Sequence, residues 1–388
     1  MSARAEHLSA RLQGYTTTIF AEMSARAVET GSINLGQGFP DTDGPDEIKR
    51  WAIEAIEAGH NQYPPGKGIP ELRRAVATHA RRCYGLDYDP EDEVLVTAGA
   101  TEAIAASLLA ICEVGDEVVM LEPYYDAYAA CTAMAGATRR VVPLRGPDWR
   151  MDPADLAAAI TPRTRIVLVN NPHNPTGRVL GADELAAVAK VCVEHDLIAV
   201  TDEVYEHLVY GGAHVPLAGF PGMAERTVSI SSAGKTFSFT GWKIGWACAP
   251  APLLAAVRTA KQFLTYVSGA PFQHAIAAAL DAGDALVEAT VENLRARREQ
   301  LCAGLESLGL EARRPEGAYF VTTDVRALGF EDGVEFCQML PERCRVVAIP
   351  SVVFYDDEAA GRPLVRWAFC KQEAQLDDAL ERLAVLRR

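Results

Sequence analysis

Five times between residues 94 and 235 a short apolar run ends in a polar turn that opens a new segment. Residues 94–96 run into Thr97-Ala98-Gly99-Ala100-Thr101-Glu102 and then a helical stretch of Ala, Ile and Leu. Residues 118–121 run into Glu122-Pro123-Tyr124-Tyr125-Asp126, and 166–169 into Asn170-Asn171-Pro172-His173-Asn174-Pro175-Thr176-Gly177. Residues 197–200 run into Thr201-Asp202-Glu203-Val204-Tyr205, and 228–230 into Ser231-Ser232-Ala233-Gly234-Lys235. Between them, residues 184–192 place Leu185, Val188, Ala189 and Cys192 on one helical face. Apolar strands alternating with helices predict an α/β fold, a mostly parallel sheet sandwiched by helices. Such sheets bind ligands beyond the carboxyl ends of their strands. The polar side chains collect there: Thr101, Tyr125, Asn174, Asp202, Tyr205, Ser232 and Lys235. Any one of them alone reads as a cap or turn residue; five such strand ends predict a binding site.

The last third of the chain reads differently. Residues 285–308 show one long helical pattern with Arg295, Arg297, Arg298 and Glu299 on its wet side, and short strands follow around 318–321, 346–349 and 364–367. The expected organisation is a large domain over residues 46–275 and a smaller α+β domain built from residues 1–45 and 276–388. The Gly/Pro-rich stretches 31–45 and 61–68 read as surface loops, where binding groups concentrate.

Charge and composition exclude several classes. Against 52 Asp+Glu stand 37 Lys+Arg, a net charge of −15 with no basic run, so a nucleic-acid backbone would be repelled. No apolar stretch reaches the ~18 residues that span a bilayer. The first twenty residues lack the apolar core of a secretion signal. A soluble, cytoplasmic protein is expected. The nine cysteines include no C-x-x-C pair and are odd in number, which favours buried reduced thiols over disulfides or a zinc site. The eight histidines are dispersed, without H-E-x-x-H, so no metal is expected.

Two nucleotide motifs fail on inspection. Gly234-Lys235-Thr236 would need a glycine at 229 to make a P-loop, and Ser229 stands there. Gly36-Gln37-Gly38 continues as Phe39-Pro40-Asp41 and follows no convincing strand, so it is not a dinucleotide fingerprint. Most lysines are solvated surface charges, but Lys235 follows an apolar strand among small residues. A lysine in a dry pocket or near another cation, such as Lys243, loses its proton easily and attacks carbonyls. Asp202 closes an apolar strand, either as a cap or as a buried carboxylate for a cationic ring nitrogen. Ala100-Thr101 opens a helix directly after a strand, either as a plain cap or as an anion site built on free N–H groups and the helix dipole.

These residues resemble the class I/II pyridoxal-phosphate aminotransferases of fold type I. Ser231-Ser232-Ala233-Gly234-Lys235-Thr236-Phe237 with Gly241-Trp242-Lys243-Ile244-Gly245 is similar to that family's lysine motif. Asn171-Pro172-His173-Asn174-Pro175-Thr176-Gly177 and Thr201-Asp202-Glu203-Val204-Tyr205 follow in the family's order. Asn34-Leu35-Gly36-Gln37-Gly38-Phe39-Pro40, Asn61-Gln62-Tyr63 and Leu364-Val365-Arg366 extend the resemblance over nearly the whole chain. The pattern is most similar to the branch of N-succinyldiaminopimelate, kynurenine and glutamine aminotransferases.

The resemblance implies that Lys235 holds pyridoxal 5'-phosphate as a Schiff base and that Asp202 pairs with the ring nitrogen. It implies Tyr205 and Asn174 on the ring hydroxyl and Tyr125 on the ring face. The phosphate would lie on Ala100, Thr101, Ser232 and Lys243, with Tyr63 reaching in from the second subunit of a homodimer. Arg366 would clamp the substrate α-carboxylate, assisted by Asn174 and the Gly38 backbone. The implied reaction moves an amino group from an amino acid to a 2-oxo acid such as 2-oxoglutarate, in two half-reactions. Many relatives carry Arg where Lys243 stands, and kynurenine-type relatives carry a bulky aromatic near Tyr15-Thr16-Thr17-Thr18-Ile19. The small hydroxyls here favour a long polar substrate, N-succinyl-LL-2,6-diaminopimelate, over kynurenine, glutamine or methionine. A β-eliminating lyase of the same fold is the alternative. The DNA-binding regulators that share this domain carry ~70 extra N-terminal residues, for which the early Gly36 motif leaves no room.

Overall fold

The structure, a computed structural model, describes residues 7–15 and 18–387. Its strands are, in chain order, β1 (Ile33–Asn34), β2 (Val94–Thr97), β3 (Glu117–Glu122), β4 (Thr138–Arg145), β5 (Arg150–Met151), β6 (Thr164–Asn170), β7 (Ile198–Asp202), β8 (Thr227–Ser232), β9 (Gly245–Cys248), β10 (Phe320–Asp324), β11 (Val346–Val347), β12 (Ile349–Pro350) and β13 (Leu364–Ala368). Eight of them form one sheet in the order β2-β9-β8-β7-β6-β3-β4-β5. The run from β8 to β4 is parallel. β9 is antiparallel to both β2 and β8, and β5 closes the far edge antiparallel to β4.

The apolar runs are continuous because both faces of the sheet are covered. Successive side chains of a strand point to opposite faces. Val118, Met120, Ile166 and Leu168 thus pack on one side with the helices Ala100–Ile111 and Asp126–Met134, while Val119, Leu121, Val167 and Val169 pack on the other with Ala182–Glu194. Burying each such side chain contributes ~1.5–3 kcal/mol. The face anticipated on the helix Ala182–Glu194 is the one that packs: Leu185, Val188, Ala189 and Cys192 are all buried. Three strands of this sheet escaped the sequence reading, among them the two-residue β5. β4 carries charges and Pro143 because its outer neighbour β5 pairs only with Leu144 and Arg145, which leaves Pro143 on an unpaired edge, where proline is tolerated. β9 is only four residues long.

A second core gathers the three-stranded antiparallel sheet β10-β13-β12, the parallel pair β1-β11, and the helices Ile19–Thr30, Ala285–Ser307, Gly333–Cys344 and Glu373–Leu383. The long helix Ala285–Ser307 buries Leu294, Leu301 and Leu305. One expectation needs correcting here. Arg295, Arg297 and Arg298 do not stand on a wet face; all three are half-buried, and only Glu299 is exposed. Arg295 and Arg298 lie over the Tyr210 ring at 5.9 and 4.8 Å, and Arg298 donates to the Pro315 carbonyl at 2.9 Å. Their aliphatic stems cover apolar surface while the guanidinium groups find ring faces and carbonyls. No helix among the described residues is long and apolar enough to cross a membrane.

Candidate active site

The carboxyl ends of β3, β6, β7 and β8, the start of the helix Ala100–Ile111 and β13 converge on one cavity of about 420 Å³. Of the residues singled out in the sequence, Gly38, Ala100, Thr101, Tyr125, Asn174, Asp202, Tyr205, Ser232, Lys235, Lys243 and Arg366 all line it. Tyr63 does not. It stands 82% exposed on the surface of its own chain, edge-on to Tyr266.

Lys235 sits in the four-residue helix Ala233–Thr236 that follows β8. Its Nζ donates to the Tyr319 hydroxyl (3.0 Å) and to the Gly38 carbonyl (3.4 Å), and Tyr319 donates in turn to the same carbonyl at 2.7 Å. Burial lowers the Lys235 pKa to about 8; Lys243 and Arg366 push the same way, against Cys370 and Asp202. The amine is thus far more available as a neutral nucleophile than a surface lysine.

Asp202 ends β7 with its carboxylate buried. Burial raises its pKa, opposed by the Tyr128 hydroxyl, the Val204 N–H and Lys235. Tyr128 donates to Oδ2 at 2.6 Å and Val204 N–H to Oδ1 at 3.3 Å. The Asn170 side chain ties this strand to the next loop, donating to the Asp202 carbonyl (2.8 Å) and accepting from the Asn174 N–H (2.7 Å). Tyr205 is buried edge-on to Tyr319, with centroids 5.2 Å apart, and Tyr125 meets Tyr128 edge-on at 5.7 Å.

The end of the cavity at the start of the helix Ala100–Ile111 is built on close backbone approach. Gly99 adopts φ +78, and a Cβ there would stand 3.3 Å from Lys243 Cε and Nζ. A Cβ on Gly245 would stand 2.7 Å from the Gly99 carbonyl carbon and 3.0 Å from the Ala100 nitrogen. Both positions therefore require glycine. Behind this turn the Glu102 carboxylate accepts the Ala98 N–H at 2.6 Å and the Thr265 hydroxyl. The first N–H groups of the helix have no partner within the helix itself, and Ala100, Thr101, Ser232 and Lys243 surround the same space.

Arg366, on β13, is 2% exposed. It donates to Asn174 Oδ1 and to the Gly36 carbonyl, both at 2.9 Å, and its guanidinium lies 4.1 to 5.2 Å from the Phe320, Phe354 and Phe20 ring centroids. Burial lowers its pKa to about 10. Its Nε has no hydrogen-bond partner and no carboxylate pairs with it among the described residues. A buried guanidinium without an anion is costly, so the arrangement suits an incoming carboxylate.

The sequence reading missed Tyr128, Tyr319 and Asn170. Tyr128 lies one helical turn after Tyr125, a spacing that shares a face and could have pointed to it. Tyr319 precedes an apolar strand and carried no local signal. Of the entrance segment, Thr16 and Thr17 fall outside the described residues. Thr18 lines the cavity and caps the helix Ile19–Thr30 by accepting the Ala21 N–H at 3.2 Å.

An amine of lowered pKa, a buried carboxylate, a helix-start anion cradle and a carboxylate-ready arginine define an enzyme that handles amino and oxo acids. Residues 30–383 match the family described as aminotransferase class I and II, and the chain belongs to that family. Among solved structures, N-succinyldiaminopimelate aminotransferase from Mycobacterium tuberculosis is 55% identical, with a TM-score of 0.96 over 98% of this chain and 100% of that one. Methionine aminotransferase from Escherichia coli is 40% identical over 95% of this chain and 96% of its own length. Kynurenine–oxoglutarate transaminase 3 from Mus musculus is 35% identical over 96% of this chain and 88% of its own. This chain is an aminotransferase.

Proposed function

We propose that the enzyme uses pyridoxal 5'-phosphate to move an amino group between N-succinyl-LL-2,6-diaminopimelate and 2-oxoglutarate/glutamate, as a cytoplasmic homodimer. The observation that carries this reading is the set of groups around one cavity: the Lys235 amine, the Gly99–Lys243 cradle, and a buried Arg366 with no anion of its own. They fit the cofactor. A helix start beside Lys243 suits a phosphate, and Asp202, bonded only to neutral donors, suits a protonated ring nitrogen. The 55% identity to the mycobacterial enzyme and the small hydroxyl of Thr18 at the cavity support the substrate. Seven of the nine cysteines are buried free thiols, which suits a reducing compartment.

Pyridoxal 5'-phosphate, when bound, supplies an aldehyde for amines and a ring that takes up the electron pair released at the substrate α-carbon. Lys235 Nζ would hold it covalently. With the cofactor bound, the same Nζ would serve as the base that carries the proton from the substrate α-carbon to the cofactor carbon, and its pKa of about 8 suits neutral pH. Asp202 would pair with the ring nitrogen and favour its protonated form, and the Tyr128 hydroxyl favours the ionised form of Asp202. Asn174 and Tyr205 would bond the ring hydroxyl, and Tyr125 would cover the ring. Ala100, Thr101, Ser232 and Lys243 would hold the phosphate, with Tyr63 from the second copy. Arg366 fixes the α-carboxylate as a planar fork, aided by Asn174 and the Gly38 backbone. The two domains read as residues 46–275 and as 1–45 with 276–388.

The test is a comparison of half-reaction rates for succinyldiaminopimelate, kynurenine, methionine, glutamine and glutamate, read from loss of cofactor absorbance. Succinyldiaminopimelate is expected to lead in kcat/KM. Methionine or kynurenine leading would refute the substrate, and no amino transfer from any donor would refute the reaction.

A further inference from the structure

Behind the active site, on the helix Pro70–Tyr84 and the turn that follows β7, lies a cluster the reaction does not use. His79 Nε2, His207 Nε2 and one Glu206 carboxylate oxygen lie within 4.8 Å of one another. The two imidazole nitrogens are 3.2 Å apart, and His79 Nε2 is 3.8 Å from Glu206 Oε2. His79 and Glu206 are 3% and 6% exposed, while His207 is half-buried. We propose that these three side chains form a binding site for one divalent transition ion, with zinc the best match.

The geometry favours a metal over a chance meeting. Two nitrogens bound to one tetrahedral zinc at 2.0–2.1 Å sit ~3.3 Å apart, close to the separation found here. The carboxylate oxygen, 3.8 Å from His79 Nε2, needs to move inward to complete the same geometry. Two of the three ligands are also held from behind. His79 Nδ1 lies 3.5 Å from Cys83 Sγ, one helical turn on; as a donor to that sulfur it leaves the Nε2 lone pair free for a metal. The other Glu206 oxygen accepts the Ser231 hydroxyl, which leaves Oε2 for the ion. Two imidazoles and one carboxylate suit zinc, cobalt or nickel and disfavour magnesium and calcium, which want oxygen ligands. Three protein ligands leave a fourth position for water.

The ion would clasp the helix Pro70–Tyr84 to the turn after β7, next to Asp202 and Tyr205, and would steady that turn without touching substrate. In sequence His79 lies 128 residues from His207, so no spacing rule joins it to the adjacent Glu206 and His207.

The test uses the full-length holoenzyme, chelator-treated and free of amino acids, titrated with Co²⁺ and then Zn²⁺. One equivalent of Co²⁺ per chain is expected, with the intense visible band of a tetrahedral site, displaced by Zn²⁺. Zinc should also raise the thermal midpoint. His207→Ala, at the half-buried position, should retain fold and cofactor absorbance yet lose the band and the zinc-dependent stabilisation. Cys83→Ala, which removes only the group behind His79, should weaken zinc binding about 10–100-fold. Absence of a stoichiometric tetrahedral band in the wild type, or an unchanged band in His207→Ala, overturns the site.

Discussion

Tyr128→Phe isolates the hydrogen bond that most favours the charged form of Asp202. The substitution removes one oxygen and leaves the ring in place. Burial raises the Asp202 pKa, and the 2.6 Å bond from Tyr128 is the largest effect opposing it. A hydrogen bond to a charged group is worth ~1.5–3 kcal/mol, and one pKa unit is ~1.4 kcal/mol, so the carboxyl should titrate about 1–2 units higher in the variant. Asp202 is an acid already raised by burial, and losing the Tyr128 bond raises it further: more of Asp202 is protonated at any acidic pH, and the proposed anionic partner of the ring nitrogen is lost. The assay is the half-reaction with glutamate, followed by cofactor absorbance across the pH range for wild type and variant together. The acidic limb of kcat/KM should move upward by about 1–2 units, giving about a 10–100-fold loss on the limb and a much smaller loss on the plateau. A uniform fall at every pH, or no movement of the limb, would refute the reasoning and leave Tyr128 as packing alone.

Three further outcomes follow from the site. The rate at which apoenzyme captures pyridoxal 5'-phosphate should rise with pH and level off above about 8, because Lys235 becomes neutral there; stopped-flow rates still climbing steeply at pH 10 would show an ordinary lysine. Gly245→Ala should weaken cofactor binding at least about tenfold, since a Cβ 2.7 Å from the Gly99 backbone must displace the helix start or strain the strand; equilibrium dialysis with an unchanged affinity would contradict the close-approach argument. Tyr63→Phe should raise the cofactor dissociation constant about tenfold, the cost of one charge-assisted hydrogen bond, although the residue is exposed on its own chain; no change would remove Tyr63 from the partner's site.

The parallel sheet was legible because β3, β6, β7 and β8 are buried on both faces and so read as unbroken apolar runs. The polar strand ends were legible for the complementary reason: Asp202, Ser232 and Lys235 interrupt apolar sequence abruptly. Tyr128 and Tyr319 were not, because an aromatic in an apolar stretch reads as core until a partner such as Asp202 or Lys235 is known to face its hydroxyl. The wet face assigned to Arg295, Arg297 and Arg298 went astray because a helical pattern gives angular position, not the height of the neighbours. Tyr210, from a distant loop, rises to meet Arg295 and Arg298. The His79–His207–Glu206 cluster was invisible for the same reason: only the fold brings the helix Pro70–Tyr84 against the turn after β7.

Arg366 is walled by Phe20, Phe320 and Phe354, rings that come from an early helix, a late strand and a late loop. With Arg366 as the proposed α-carboxylate clamp, selectivity for that group is held jointly by segments more than 300 positions apart. Trimming the amino end back past Phe20 would strip one wall from a guanidinium otherwise left intact. The shortened enzyme would keep its colour and its sheet but bind amino acids weakly, so its leading residues belong to molecular recognition as much as to architecture.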